Sequence, residues 1–263
     1  MSVTSERCFL VNVAGRAGGR PARASVWLED GARARRGGQP SGLDRERITA
    51  TAVRLLDAEG LAKFSMRRLA AELNVTAMSV YWYVATKDDL LELALDQAFG
   101  EMLLPPEDSA ADWRDQLRAL AGQYRAVLVA HPWVSPLAGT FLNIGPHSLD
   151  FSLAVQRVIR HTVLPAHGQA GAISAVFQFV YGFGTIEGHF VQRCAAAGMT
   201  QEEYFRHAMS AVSDEPEFHQ VIRRSADLME ARGGDTVEEM RERDFAYALE
   251  TLIAGIEVMA ARG

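Results

Sequence analysis

From Leu43 to the end of the chain, apolar residues recur at three- and four-residue steps, and no stretch alternates singly as a half-buried strand would. Ile48, Ala52, Val53 and Leu56 share one face of a helix over 44–59, and Gly60 stands where helices commonly end. Ser65 is placed to cap a short helix in "MRRLAAEL", "NV" makes a tight turn, and Thr76 is placed to cap a third helix of seven or eight residues. Thr86 with Asp89 forms a capping-box pattern opening a helix over 87–103, which Pro105 and Pro106 stop. Ser109 with Asp112 opens the next, which runs to Pro132. A stretch rich in loop signals follows over 131–147, with Pro132, Pro136, Gly139, Gly145 and Pro146. Further helices are predicted over 148–163, 168–197, 200–210, 215–230 and 237–261, with Thr200/Glu203 and Thr236/Glu239 as capping boxes. The fold class is therefore all-α.

Residues 1–42 lack this order. They are rich in Gly, Ala and Arg, end in "ARARRGGQPSG", and read as a disordered arm. The chain divides into this arm, a three-helix unit over 43–90 and a larger helical domain over 91–263. With 263 residues, 48% hydrophobic and 23% charged, it has ample material for a core.

Charge changes the picture only when it is counted by region. The whole chain carries −6, which argues against an anionic partner, yet residues 1–42 carry +4, residues 43–91 are neutral and the remainder holds −10. Cys8 and Cys194 have no metal-like spacing and read as free thiols of a reducing cytoplasm. The apolar run "CFLVNVA" makes a poor signal peptide, and "AISAVFQFVYGFG" falls short of the roughly 20 residues a membrane span needs.

The three-helix unit has the plan of a helix-turn-helix, with a tight turn between its second and third helices. A helix from Thr76 to Trp82 is about 10 Å long, and the DNA major groove is about 12 Å wide. Tyr81, Trp82 and Tyr83 follow one another inside "TAMSVYWYVATKDDLL". Consecutive helical positions face different ways, so some of these rings must point outward, where a phenol or indole N–H can meet a phosphate. Lys87 adds a positive charge close by.

The run "FSMRRLAAELNVTAMSVYWYVATKDDLLELAL" resembles the DNA-binding domain of the TetR family of bacterial transcriptional repressors. The tetracycline repressor's "LYWHVKNKRALLDAL" aligns without a gap from Val80 onward. "HPW" and the small-residue-rich long helix resemble that family's regulatory domain more loosely. The resemblance implies a ligand-responsive repressor that binds a palindromic operator as a homodimer and leaves it when a small-molecule effector binds. It places Ser65 and Arg67 at the start of the second helix, and Thr76, Ala77, Met78, Ser79, Tyr81, Trp82 and Tyr83 along the recognition helix, with Lys87 on a phosphate. Ala77-Met78 stands where the relative has Gln-Pro, and no Asn, Gln or Arg is available there for a bidentate base contact. Readout is therefore expected from thymine methyls on Ala77 and Met78, hydroxyls of Thr76 and Tyr81, and one guanine contact from Arg67.

In the back domain, Phe245, Leu249, Leu252, Ile253, Ile256 and Met259 make a wide apolar stripe on the last helix, and Gly182, Gly184 and Gly188 punctuate the helix over 168–197. These two helices are the expected dimer scaffold. Residues expected to face an effector are Trp133, Phe141, Asn143, His147, Phe177, Gln178, Tyr181 and His189, with Phe183, Glu187 and Gln192 nearby. The position of the tetracycline-contacting histidine is occupied by Leu103, so tetracycline itself is not the expected effector.

No reaction centre emerges. "YGFGTIEG" places its GxG within a helical run rather than after a strand, Pro165 separates His161 from His167, and no GxSxG occurs. No enzyme activity, cofactor or metal is expected. A helical small-molecule-binding protein or enzyme with a non-essential helix-turn-helix is the alternative.

Overall fold

The computed structural model describes residues 25–28, 43–213, 218 and 224–262. Among these the regular structure is helical, with eleven α-helices and no strand. The front unit comprises α1 (Arg45–Glu59), α2 (Met66–Glu72) and α3 (Ala77–Tyr81). Behind it come α4 (Lys87–Phe99), α5 (Trp113–Ala130), α6 (Val134–Ala138), α7 (Pro146–Arg160) and α8 (Ala166–Ala196). The chain closes with α9 (Gln201–Ser213), α10 (Ala226–Arg232) and α11 (Val237–Arg262). No described helix is long and apolar enough to cross a membrane.

Local chemistry sets most of these boundaries. The side chains of Asp44, Ser65, Thr76 and Thr86 each accept the backbone N–H three residues on, the donors a helix start otherwise leaves unpaired. Thr200 and Glu203 exchange both hydrogen bonds of a capping box. Asn74 takes the left-handed conformation, φ 54°, to turn α2 into α3.

Several expectations need correction. The third helix has five residues rather than seven or eight. Helix α4 ends at Phe99 with Gly100 as its C-cap, not near residue 103, and a Cβ at 100 would sit 3.1 Å from the ring of His147. Asp112, not Ser109, caps α5. The supposed loop over 131–147 contains α6, and α7 begins at Pro146, whose fixed φ suits a first helical turn. The arm is not featureless either: Val26–Leu28 form a 3-10 turn packed on α4, with Ser25 and Val26 buried. The remainder of the arm and much of the helix expected over 215–230 lie outside the described residues.

The core places α4 at the centre. Leu90, Leu91, Leu93, Ala94, Leu95 and Ala98 are all buried, because α1 packs on it from the front and α5, α6 and α7 from behind. Helices α5 and α8 form the closest pairing of the back domain. A Cβ at Gly188 would come 2.6 Å from the carbonyl oxygen of Leu128, and one at Gly184 3.0 Å from the Leu128 side chain, so these two glycines set the approach of the helices. Gly182 has open space instead. The stripe on α11 is used mainly within the chain, where Phe245, Leu249, Ile253 and Ile256 are buried.

Candidate nucleic-acid interface and the junction behind it

Val80 and Val84 are completely or almost completely buried and anchor α3 to the front core. Fixing that face turns the neighbouring positions outward. Met78 is 69% exposed, Trp82 74% and Tyr81 43%, while Tyr83 is half-buried against the core. The run of three rings thus divides into two that reach solvent and one that packs. The Thr76 and Ser79 hydroxyls lie 2.9 Å apart, and Thr76 also accepts from the Ser79 amide at 3.2 Å, so Thr76 is partly committed to capping. Ala77 is half-buried beside them.

Around α3 the basic residues differ in freedom. Arg68 is tied to Glu59 at 2.8 Å and Glu72 at 2.9 Å, which fastens α2 to α1. Arg67 is exposed on the first turn of α2 next to the exposed cap Ser65, and has no carboxylate partner among the described residues. Lys87 donates to the Phe64 carbonyl at 2.9 Å and sits 5.6 Å from the Phe64 ring centre. An ammonium has three donors, so two stay available to a phosphate.

Behind this surface lies a polar junction that sequence reasoning missed. His131, at the end of α5, bonds Asp57 of α1 through Nδ1 at 2.6 Å and Glu101, just beyond α4, through Nε2 at 2.9 Å. Burial alone would lower its pKa, but hydrogen bonds to Asp57 and Glu101 outweigh it and raise the imidazole to about 9. The indole N–H of Trp133 donates to the same Asp57 oxygen at 2.6 Å. Trp133 therefore joins the front unit to the back domain.

A second fastening uses α4. The buried Asp96 accepts from the Ser148 amide and hydroxyl, both at 2.9 Å, and from the His147 amide at 3.3 Å. His147 Nδ1 lies 3.0 Å from the same carboxylate. Asp96 thus caps the first turn of α7 from another helix and places a negative charge at its N-terminus.

The expected effector residues do not form one group. Phe177 belongs to an aromatic cluster with Phe99 of α4, Tyr124 of α5 and Phe151 of α7, with ring centres 5.4–6.2 Å apart. Burial pushes the Tyr124 phenol up. The Tyr181 hydroxyl donates to the Ser135 carbonyl at 2.8 Å, tying α8 to α6. Phe141 packs half-buried near them, and the Asn143 amide donates to the carbonyls of Ala138 and Phe141. Gln178, His189 and Gln192 are exposed on α8. Glu187 is buried in a two-point ion pair with Arg125 at 2.7 and 3.0 Å, and Phe183 packs against Phe179 and Phe245. A separate open groove of about 490 Å³ runs between α5, α8 and α11, past Gly122, Arg125 and Leu249. Phe99, Phe151 and Tyr124 were not anticipated, although Phe99, Tyr124 and Phe151 all sit on the apolar faces of predicted helices.

Residues 48–94 match the family described as bacterial regulatory proteins, tetR family, and residues 105–260, more than half of the chain, match the tetracyclin repressor-like C-terminal domain. The chain belongs to the TetR family. A helix-turn-helix transcriptional regulator from Saccharopolyspora erythraea is 34% identical over 218 residues, 83% of this chain and 86% of that one. The transcriptional repressor DrrR1 of Streptomyces coeruleorubidus is 29% identical over 238 residues, 90% of this chain and 85% of its own. Among solved structures, apo ActR of Streptomyces coelicolor superimposes with a TM-score of 0.65 at 24% identity, over 85% of this chain and 99% of that one. ActR in complex with actinorhodin gives 0.64 at 25% identity, over 82% and 96%. As a TetR-family regulator the chain is a DNA-binding protein of transcription, and α1–α3 are its helix-turn-helix.

Proposed function

We propose that this TetR-family chain is a cytoplasmic, homodimeric repressor that holds a palindromic operator and leaves it when a small organic molecule enters the back domain. The observation that carries the reading is the face of α3, where Met78, Tyr81 and Trp82 are exposed while Val80 locks the helix in place. Large apolar groups held rigidly in solvent suit a partner surface, here thymine methyls and backbone phosphates. Arg67 would make the guanine contact, and Ser65, Thr76, Ala77, Ser79 and Lys87 complete the interface.

Two copies must present α3 about 34–36 Å apart to reach successive turns of one duplex. Exposed Ser174, Gln178 and Ile186 with half-buried Gly182 on α8, and exposed Tyr247, Thr251, Ala254 and Val258 on α11, offer surface for a two-fold contact. ActR, 25% identical to this chain, was solved bound to actinorhodin, which supports an organic effector here. The Phe99–Tyr124–Phe151–Phe177 cluster is our candidate for its place, because Phe99 lies on α4 and any rearrangement of the rings would move that helix. Helix α4 bears on α1, so a shift there would alter the spacing of the two reading heads.

The test is selection of bound duplexes from a random DNA pool, repeated with a metabolite library to find what releases them. Enrichment of a palindrome and its release by a compound are the expected result. Substrate turnover with no duplex retained at low salt would favour a helical enzyme instead.

A further inference from the structure

Three carboxylates lie along α4 at three- and four-residue spacing, Asp89, Glu92 and Asp96, and all are buried. Asp96 holds α7. Glu92 faces a different partner, the short turn that begins at Ser25. Its Oε2 accepts the Ser25 hydroxyl at 2.8 Å and the Val26 amide at 2.8 Å. Among the described residues these are the only hydrogen bonds of the Glu92 carboxylate. The Ser25 oxygen in turn accepts the Trp27 amide at 3.2 Å, which closes the turn on itself. Ser25 and Val26 are each 3% exposed, and Trp27 packs partly buried against the core. A buried carboxylate is stable only while its hydrogen bonds are satisfied. Glu92 therefore fits its present position only while the turn stays docked.

We propose that the Ser25–Leu28 turn is an intramolecular clamp on α4 that sets operator affinity. This rests on the reading of α4 as the link between effector and DNA. Docked, the turn completes the shell around Glu92 and holds α4 between the arm and the back domain. Released, Glu92 must turn toward water, and α4 loses a restraint close to its contact with α1. An α4 that must be ordered at the moment of DNA binding weakens that binding, so the clamp acts as a built-in pre-organiser. Any group that pulls the turn away from Glu92 lowers affinity without touching α3.

The experiment uses the full chain. Ser25→Asp sets a second carboxylate against Glu92 and should release the turn, whereas the same change combined with Glu92→Gln lets the amide donate to the introduced carboxylate and should restore docking. Amide hydrogen exchange along Lys87–Phe99, measured without DNA, should quicken about tenfold in the single variant and recover in the double. Affinity for a duplex that the wild-type chain selects from a random pool should fall about tenfold and recover in the same way. Unchanged exchange in the single variant overturns the clamp. Faster exchange with undiminished duplex affinity overturns its regulatory role and leaves a structural contact. If the wild-type chain selects no duplex, the operator reading fails instead, and the exchange data still decide whether the turn restrains α4.

Discussion

At the recognition helix, Met78 and Trp82 are large apolar side chains held in solvent; at the aromatic cluster, Tyr124, Phe151 and Phe177 are large side chains of the same kind closed on one another. The first pair stands on one short helix and its C-cap, the second set on three different helices, and their surroundings separate them. The front surface has its geometry ready and lacks only the partner that would cover it. The cluster already covers itself, so an effector there must displace packed rings, and that work is available to move α4. On the function proposed above, the contrast is between a reading surface and a responding one.

The comparison can be broken most forcefully in the back domain. Gly188→Val puts a branched side chain against the Leu128 carbonyl and should destabilise by about 3 kcal/mol or more, read as a lowered urea midpoint. An unchanged midpoint would mean that the α5–α8 approach is far looser than described.

Next in size is the junction between the regions. The folded His131 pKa of about 9 exceeds the ordinary value of 6.5, so the charged imidazole contributes stability fully below about pH 6.5 and loses it as pH rises through about 9. Allowing for the exposure of Glu101, the contribution is about 2 kcal/mol. Melting curves from pH 6 to 10 should show this decline in the wild type, and His131→Gln should flatten it. A slope that survives the substitution would assign the titration elsewhere.

On the reading surface, Arg67→Ala should erase preference at one base pair per half-site, about tenfold, on a panel of altered operators. Lys87→Ala should weaken all sequences alike and reduce the salt slope by about one. Uniform loss in both variants would remove Arg67 from base readout. The smallest effect expected is on stability: Trp82→Ala should change the unfolding free energy by less than about 0.5 kcal/mol, read by urea titration, while still weakening operator binding. A large loss of stability would move Trp82 from the interface to the core.

What the sequence revealed follows the range of the interactions involved. Ser65, Thr76, Thr86 and Thr200 act on amides three residues away, so their caps were legible from local spacing. That some of the three rings must face outward followed from helical periodicity, but that Tyr81 and Trp82 are the two came only with the burial of Val80 and Val84. By contrast, Ser25 finds Glu92, His147 finds Asp96 and Trp133 finds Asp57 across 67, 51 and 76 residues. Nothing in a one-dimensional pattern pairs them. Acids among the leucines of "LLELALDQAF" were the available hint, since a carboxylate on an all-buried helix requires a partner somewhere. Helix α6 was hidden because Pro136 and Gly139 look like loop residues, although a proline early in a helix breaks no hydrogen bond.

Gly145 carries one consequence for anyone who would retune this regulator to a new compound. A Cβ there would fall 2.3 Å from the Asp96 carboxylate, so mutagenesis libraries spanning the loop before α7 should leave that codon untouched or randomise codons 96 and 145 together. Altering one alone would fill the screen with broken scaffolds, and broken scaffolds are easily mistaken for permanently induced sensors.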